Sequence, residues 1–217
     1  ANAFGLELAP GDLSALARRG SGSAARSIFG GFVEWAHGTR ADGTDSVAQP
    51  LLGASQWPLR VVVAVTSTAA KSIGSSEGMQ HTAATSPFQN TWIQTQQADL
   101  DAARAAILGR DFEALADVSE HSCLKMHALA MGARPGLLYW NGATLEAMQR
   151  IRALRAEGVP VFFTVDAGPQ VKAVCLPAAA EVVAASVREV PGVLDVIECG
   201  LGEGARVIAD PVMETGT

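Results

Sequence analysis

The feature that most constrains the fold of this chain is where its β-branched runs fall. LRVVVAVTS, from Leu59, is nearly continuous in its apolar character, the pattern of a strand buried on both faces. Much later, VPVFFTVDAGPQVKAVCL reads as strand, tight turn, strand. Between these runs the sequence turns helical. Helices are predicted over about 88–108, where Leu100, Ala103, Ile107 and Leu108 have helical spacing, and over 110–131. A further helix is predicted over 144–157, with Thr144 as N-cap, a stripe of Leu145, Met148, Ile151 and Leu154, and Gly158 as the stop. Strands and helices mix, with a hairpin late in the chain, so the predicted class is α+β.

The flanks add smaller elements. PGDLSALARRG reads as a short helix capped by Asp12 and stopped by Gly20, followed by a serine-arginine turn and a strand over Ile28 to Trp35. Residues 38–58 are polar and read as a loop; 69–86 begin small and polar and become helical. A helix near 178–189 and strand-like segments at 193–199 and 205–208 complete the pattern.

Composition narrows the function classes. The 217 residues are 48% hydrophobic and 18% charged, with a formal net charge of -6. That is globular, and the acidic balance argues against broad nucleic-acid binding while leaving room for a local anion site. Cys123, Cys175 and Cys199 have no CxxC spacing, so they read as reduced thiols of a cytoplasmic protein rather than as a zinc site. No apolar run reaches the length of a membrane span, and the N-terminal residues lack the basic region of a signal peptide.

Four places carry chemistry-bearing residues. In SGSAARSIFGGFVEW, Ser21, Ser23 and Arg26 bring two hydroxyls and a guanidinium onto one glycine-rich turn, which suits an oxyanion; the same spacing also fits a capping turn with an exposed arginine. In KSIGSSEGM, Ser75, Ser76 and Gly78 stand at a loop-to-helix junction whose free N–H groups favour phosphate, although the Walker order is absent; an ordinary N-cap is the other reading. In FTVDAGPQ, Asp166 closes an apolar strand, either as an Asx-turn residue or as a general base or electrostatic partner on a rigid strand end. In HSCLKMHALAM, His121 and Lys125 are four apart on one helix face, and His127 is either structural or part of a site. No GxSxG, HExxH or strand-linked GxGxxG pattern is present.

Three of these blocks, RRGSGSAARSIFGGFVEW, KSIGSSEGMQHTAATSP and FTVDAGP, in this order and with these gaps, resemble the diphosphomevalonate decarboxylase family of the GHMP kinase superfamily. MHALAMGARPGLLYWN is similar to its bacterial branch. The resemblance runs from about residue 4 to 208. It implies ATP-dependent decarboxylation of mevalonate 5-diphosphate to isopentenyl diphosphate, with ATP and Mg2+ as cofactors and a cytoplasmic homodimer as the assembly. It implies that Ser21, Ser23, Arg26, Ser75 and Met79 contact substrate, with Arg26 on its carboxylate. Asp166 resembles the catalytic aspartate facing the 3-hydroxyl, and Lys71 and Ser75 fall where the family handles phosphates.

The same resemblance implies a GHMP kinase-like two-lobe fold. Residues 1–70 are expected to complete an N-terminal lobe and 71–217 to form a ferredoxin-like C-terminal lobe. The family's ATP-phosphate loop has no counterpart in these residues, so the chain alone is expected to bind ATP poorly and to be poorly soluble or unstable. Two alternatives stay open at this point: a relative acting on the monophosphate, and an inactive fragment or binding module.

Overall fold

Six helices and six strands account for most of the computed structural model, which describes residues 5–70 and 73–207. Two compact units divide them: the described part of Ala1–Gln56 and Gly202–Thr217, and Trp57–Leu201.

In the first unit, helix α1 (Pro10–Gly20) begins with Pro10, whose missing N–H costs nothing at a helix start; Ala9, not Asp12, is its N-cap. Its one buried residue, Ser14, acts as a rivet. The Ser14 hydroxyl donates to the Ala25 carbonyl at 3.0 Å and accepts from the Ala48 N–H at 2.9 Å. The serine-arginine stretch is a 3-10 helix over Gly22–Ile28, so the strand expected from Ile28 shortens to β1 (Phe32–Trp35). Its partner β2 (Ala48–Leu52) lies where a loop was expected. Pro50 and the polar neighbours hide this strand from a local reading, but a proline is tolerated in a two-stranded pair because both strands are edges. Gly31 (φ +71°) makes the close approach possible: a Cβ there would lie 2.4 Å from the Leu52 carbonyl oxygen. Residues 205–207 form no strand; the segment is tied back by Gly31 N–H to the Gly202 carbonyl and Ala205 N–H to the Ser27 carbonyl.

The second unit is an antiparallel sheet of order β4-β5-β3-β6, built from β3 (Arg60–Val65), β4 (Val161–Thr164), β5 (Val171–Cys175) and β6 (Asp195–Gly200). Helices α2 (Ser75–Thr85), α3 (Gln89–Gly109), α4 (Phe112–Met131), α5 (Gly142–Ala156) and α6 (Ala180–Arg188) accompany it. Val62, Ala64, Val161, Phe163, Val171 and Ala173 meet Met148 and Ile151 of α5 and Val183 and Val187 of α6 in one core. β3 is not buried on both faces as expected. Val62 and Ala64 are buried while Val61, Val63 and Val65 are half-exposed, because the helices of the core meet only one side of its pleat. The expected Thr144 cap is also displaced: Asn141 is the N-cap of α5 and Thr144 closes a capping box with it.

Candidate active site

The first unit gathers Ser21, Ser23 and Arg26 on one turn. Ser21 Oγ lies 3.3 Å from Ser23 Oγ, and Arg26 follows within the same 3-10 segment. The turn packs closely on β1: a Cβ at Gly22 would sit 3.1 Å from the Trp35 ring, which would have to give by a few tenths of an ångström to admit it. Trp35 is held in turn by its Nε1–H donating to Ser46 Oγ at 3.1 Å. Ser23 and Arg26 line a concavity of about 410 Å3 that Gly202 and Glu203 also border. Glu203 is paired there with Arg206 at 3.6 Å. Hydroxyls and a guanidinium that share one exposed turn form a donor set for an oxyanion.

The second unit builds its site around Asp166, at the exit of β4. The β4–β5 ladder stops at Thr164 and Lys172, so residues 165–170 are held by other means. Ahead of Asp166, the Val165 N–H donates to Cys123 Sγ at 3.2 Å, and the Val165 carbonyl lies 3.4 Å from the same sulfur and 3.1 Å from His127 Nε2. Behind it, the Pro169 carbonyl accepts from Thr66 Oγ1 at 2.8 Å and Thr144 Oγ1 at 2.7 Å. The Gly168 N–H closes onto the Asp166 carbonyl at 2.8 Å. The carboxylate itself is 76% exposed and accepts from Lys172 Nζ at 2.6 Å. A rigid turn therefore presents an accessible, ion-paired carboxylate.

Two hollows adjoin this turn. Asp166, Thr164, Cys123 and Met126 border one of about 420 Å3 between α3 and α4. Ala167, Ser75, Met79 and Tyr139 border an apolar one of about 380 Å3. Ser75 opens α2, whose N-cap, Gly74, offers no side-chain partner to the first turn. The structure thus brings Ser75, Met79 and the residue next to Asp166 to one cavity. Lys71 lies outside the described residues.

The helical candidates separate. Lys125 is occupied by Asp99 and by Thr95, both on α3, and its partner is not His121. His127 is 2% exposed, between Tyr139 and Trp140. Burial pushes its pKa below the ordinary imidazole value, against the pull of the Val165 carbonyl and of Asp166. Sequence reasoning missed Lys172 and Cys123. Strand alternation places Lys172 off the apolar face of β5, which was the only local signal for it; Cys123 carried none beyond being buried.

Comparison with known proteins adds an independent line. Residues 61–199 match the mevalonate 5-diphosphate decarboxylase C-terminal domain, and residues 1–48 match the diphosphomevalonate decarboxylase-like N-terminal domain. Diphosphomevalonate decarboxylase mvd1 of Aspergillus fumigatus is 36% identical over 196 residues, covering 88% of this chain and 48% of that protein. Mevalonate diphosphate decarboxylase from Staphylococcus aureus superposes with a TM-score of 0.85 at 33% identity, covering 93% of this chain and 61% of that one. A structure described as MDDEF in complex with MVAPP, AMPPCP and magnesium gives 0.83 at 36% identity, over 92% and 61% of the two chains. The chain spans about half the length of the curated relatives it matches.

Proposed function

The chain belongs to the mevalonate 5-diphosphate decarboxylase family, and from that premise we propose that it carries the substrate-handling residues of an ATP-dependent carboxy-lyase converting mevalonate 5-diphosphate to isopentenyl diphosphate, CO2, ADP and phosphate. The observation that carries this reading is Asp166, an exposed carboxylate on a turn pinned from both sides. In this reading Ala1–Gln56 contributes to an N-terminal GHMP lobe and Trp57–Leu201 is the C-terminal lobe. β3 belongs with the second lobe, because it lies between β5 and β6. The boundary then falls ahead of residue 70.

ATP with Mg2+, when bound, supplies the phosphoryl group that turns the tertiary 3-hydroxyl into a leaving group. The residues present fit its phosphates: Ser75 and the uncapped first turn of α2 offer N–H and hydroxyl donors. Among the described residues no cluster of three His, Cys, Asp or Glu side chains could hold a metal.

Asp166 takes up or orients the proton of the 3-hydroxyl as general base; once that proton has passed to solvent, to which the carboxylate is open, the ionised form faces the positive charge that develops at that carbon. Lys172 fixes the carboxylate by a charge-assisted hydrogen bond. Arg26 holds the substrate carboxylate in line with the breaking bond, while Ser21 and Ser23 donate to neighbouring oxygens. That grip must stay moderate, since the carboxylate charge disappears as CO2 leaves. Cytoplasmic residence rests on three unpaired thiols, which a reducing compartment preserves. The homodimer is part of the same proposal and is read by light scattering of the full-length protein.

The test is CO2 and ADP release by the full-length protein from mevalonate 5-diphosphate and, separately, from the monophosphate. Release from the diphosphate in equal amounts with ADP is expected; no CO2 from it overturns the reading. Asp166→Ala is expected to lower kcat by roughly 10²-fold or more.

A further inference from the structure

The sulfur and imidazole on one face of α4 do more than fill the core. Cys123 and His127 are one turn apart and converge on a single residue, Val165, immediately ahead of Asp166. β4 is an edge strand and its ladder with β5 ends at Thr164, so no strand neighbour meets these backbone groups; the Phe163 N–H on the same strand likewise turns to α4, donating to Glu120. Instead the Val165 N–H is taken by the sulfur, and both lone pairs of its carbonyl are taken by the thiol and the ring N–H. A carbonyl only accepts, so His127 carries its proton on Nε2, and burial, which pushes the Cys123 thiol up, keeps the S–H available as a donor.

Packing then locks the donors themselves. The His127 ring lies 4.5 Å from the Trp140 ring and 6.1 Å edge-on to Tyr139. At 2% exposure it has no direct route to a substrate. Any influence on chemistry has to pass through the backbone it holds.

Resting on the decarboxylase reading above, we infer that Cys123 and His127 are positioning residues: they clamp Val165 so that the Asp166 carboxylate stands at a fixed place relative to the substrate hydroxyl. A loosened clamp leaves the anionic ends of the substrate held elsewhere. The loss therefore falls on kcat rather than on KM.

The experiment compares His127→Phe, which keeps a ring but removes the donor, with His127→Gln, whose amide N–H reaches toward the position of Nε2. In the full-length protein, His127→Phe is expected to speed amide exchange at Val165 and to lower kcat about 10-fold with KM within about 2-fold. His127→Gln is expected to restore most of both. Wild-type exchange and kcat in His127→Phe overturn the inference. So does an equal kcat loss in the two variants, which would assign the effect to ring packing. Should His127→Phe not fold, Cys123→Ala against Cys123→Ser carries the same comparison, and equal values for that pair overturn it. The exchange readout does not require turnover. A wild-type protein that releases no CO2 would defeat the decarboxylase reading while leaving the clamp itself measurable.

Discussion

Arg26 shows what one side chain can and cannot contribute. It is exposed, so an ion pair of its own in water would be weak. Its value lies in geometry: a planar fork on a turn already fixed by Ser14, Gly22 and Trp35 can hold a carboxylate by two parallel bonds. A lysine keeps the charge and loses the fork. Arg26→Lys is therefore expected to cut kcat/KM by about 10-fold or more with an unchanged melting temperature, measured by CO2 release and thermal unfolding of the same sample. Activity equal to wild type would remove the positioning role given to this residue. The sequence showed the three donors of this turn but not their support, because Ser14 acts from another helix and Trp35 from a strand.

At the scale of elements, α2 is the informative case. It is a helix with a glycine in its first turns, and Gly78 in a helix interior normally costs roughly 1 kcal/mol relative to alanine. Here a steric cost opposes that gain. A Cβ at Gly78 would lie 2.1 Å from the Tyr139 hydroxyl oxygen, and the Tyr139 ring is braced edge-on against His127. Gly78→Ala is expected to destabilise the protein by about 1–2 kcal/mol in urea unfolding. Tyr139→Phe in the same background should recover part of that loss, since it removes the clashing oxygen; additive losses in the double-mutant cycle would show that the two sites do not meet. Helical periodicity made α3, α4 and α5 legible in advance, and alternation with turn chemistry did the same for β4 and β5. β2 was not legible. Its pairing with β1 joins residues across the intervening polar segment, from Trp35 with Ala48 to Phe32 with Leu52, and Pro50 locally argues against a strand.

For the whole molecule, burial of His127 couples folding to pH. Its folded pKa lies below the unfolded value of about 6.5, so the unfolded chain binds more protons in the interval between the two. Its contribution to stability is complete above about pH 6.5 and is lost progressively as pH falls toward the folded value. Asp166 opposes this shift and Lys172 reinforces it. Urea midpoints are expected to fall between pH 7.5 and 5.5, and the fall should be smaller in His127→Gln, which has nothing to titrate there. A His127→Gln protein with the wild-type slope would place the titrating group elsewhere.

The sequence by itself determined the α+β class, most helix and strand cores, and the three blocks holding Ser21, Ser23, Arg26, Ser75, Met79 and Asp166. Those features are encoded over short distances: apolar periods of two or 3.6, glycine at turns, hydroxyls beside a guanidinium. Only the tertiary structure decided which face of β3 is covered, that the segment after β6 returns to the Ser27–Gly31 backbone, that Lys172 pairs with Asp166, and that Cys123 and His127 take over the backbone of Val165 where the ladder ends. Each of these joins residues whose meeting depends on how whole elements stack or how a strand pair ends. A buried thiol, imidazole or carbonyl cannot announce its partner in the local pattern; it must find one once the elements close around it, because an unpaired polar group in the core costs more than any propensity can repay.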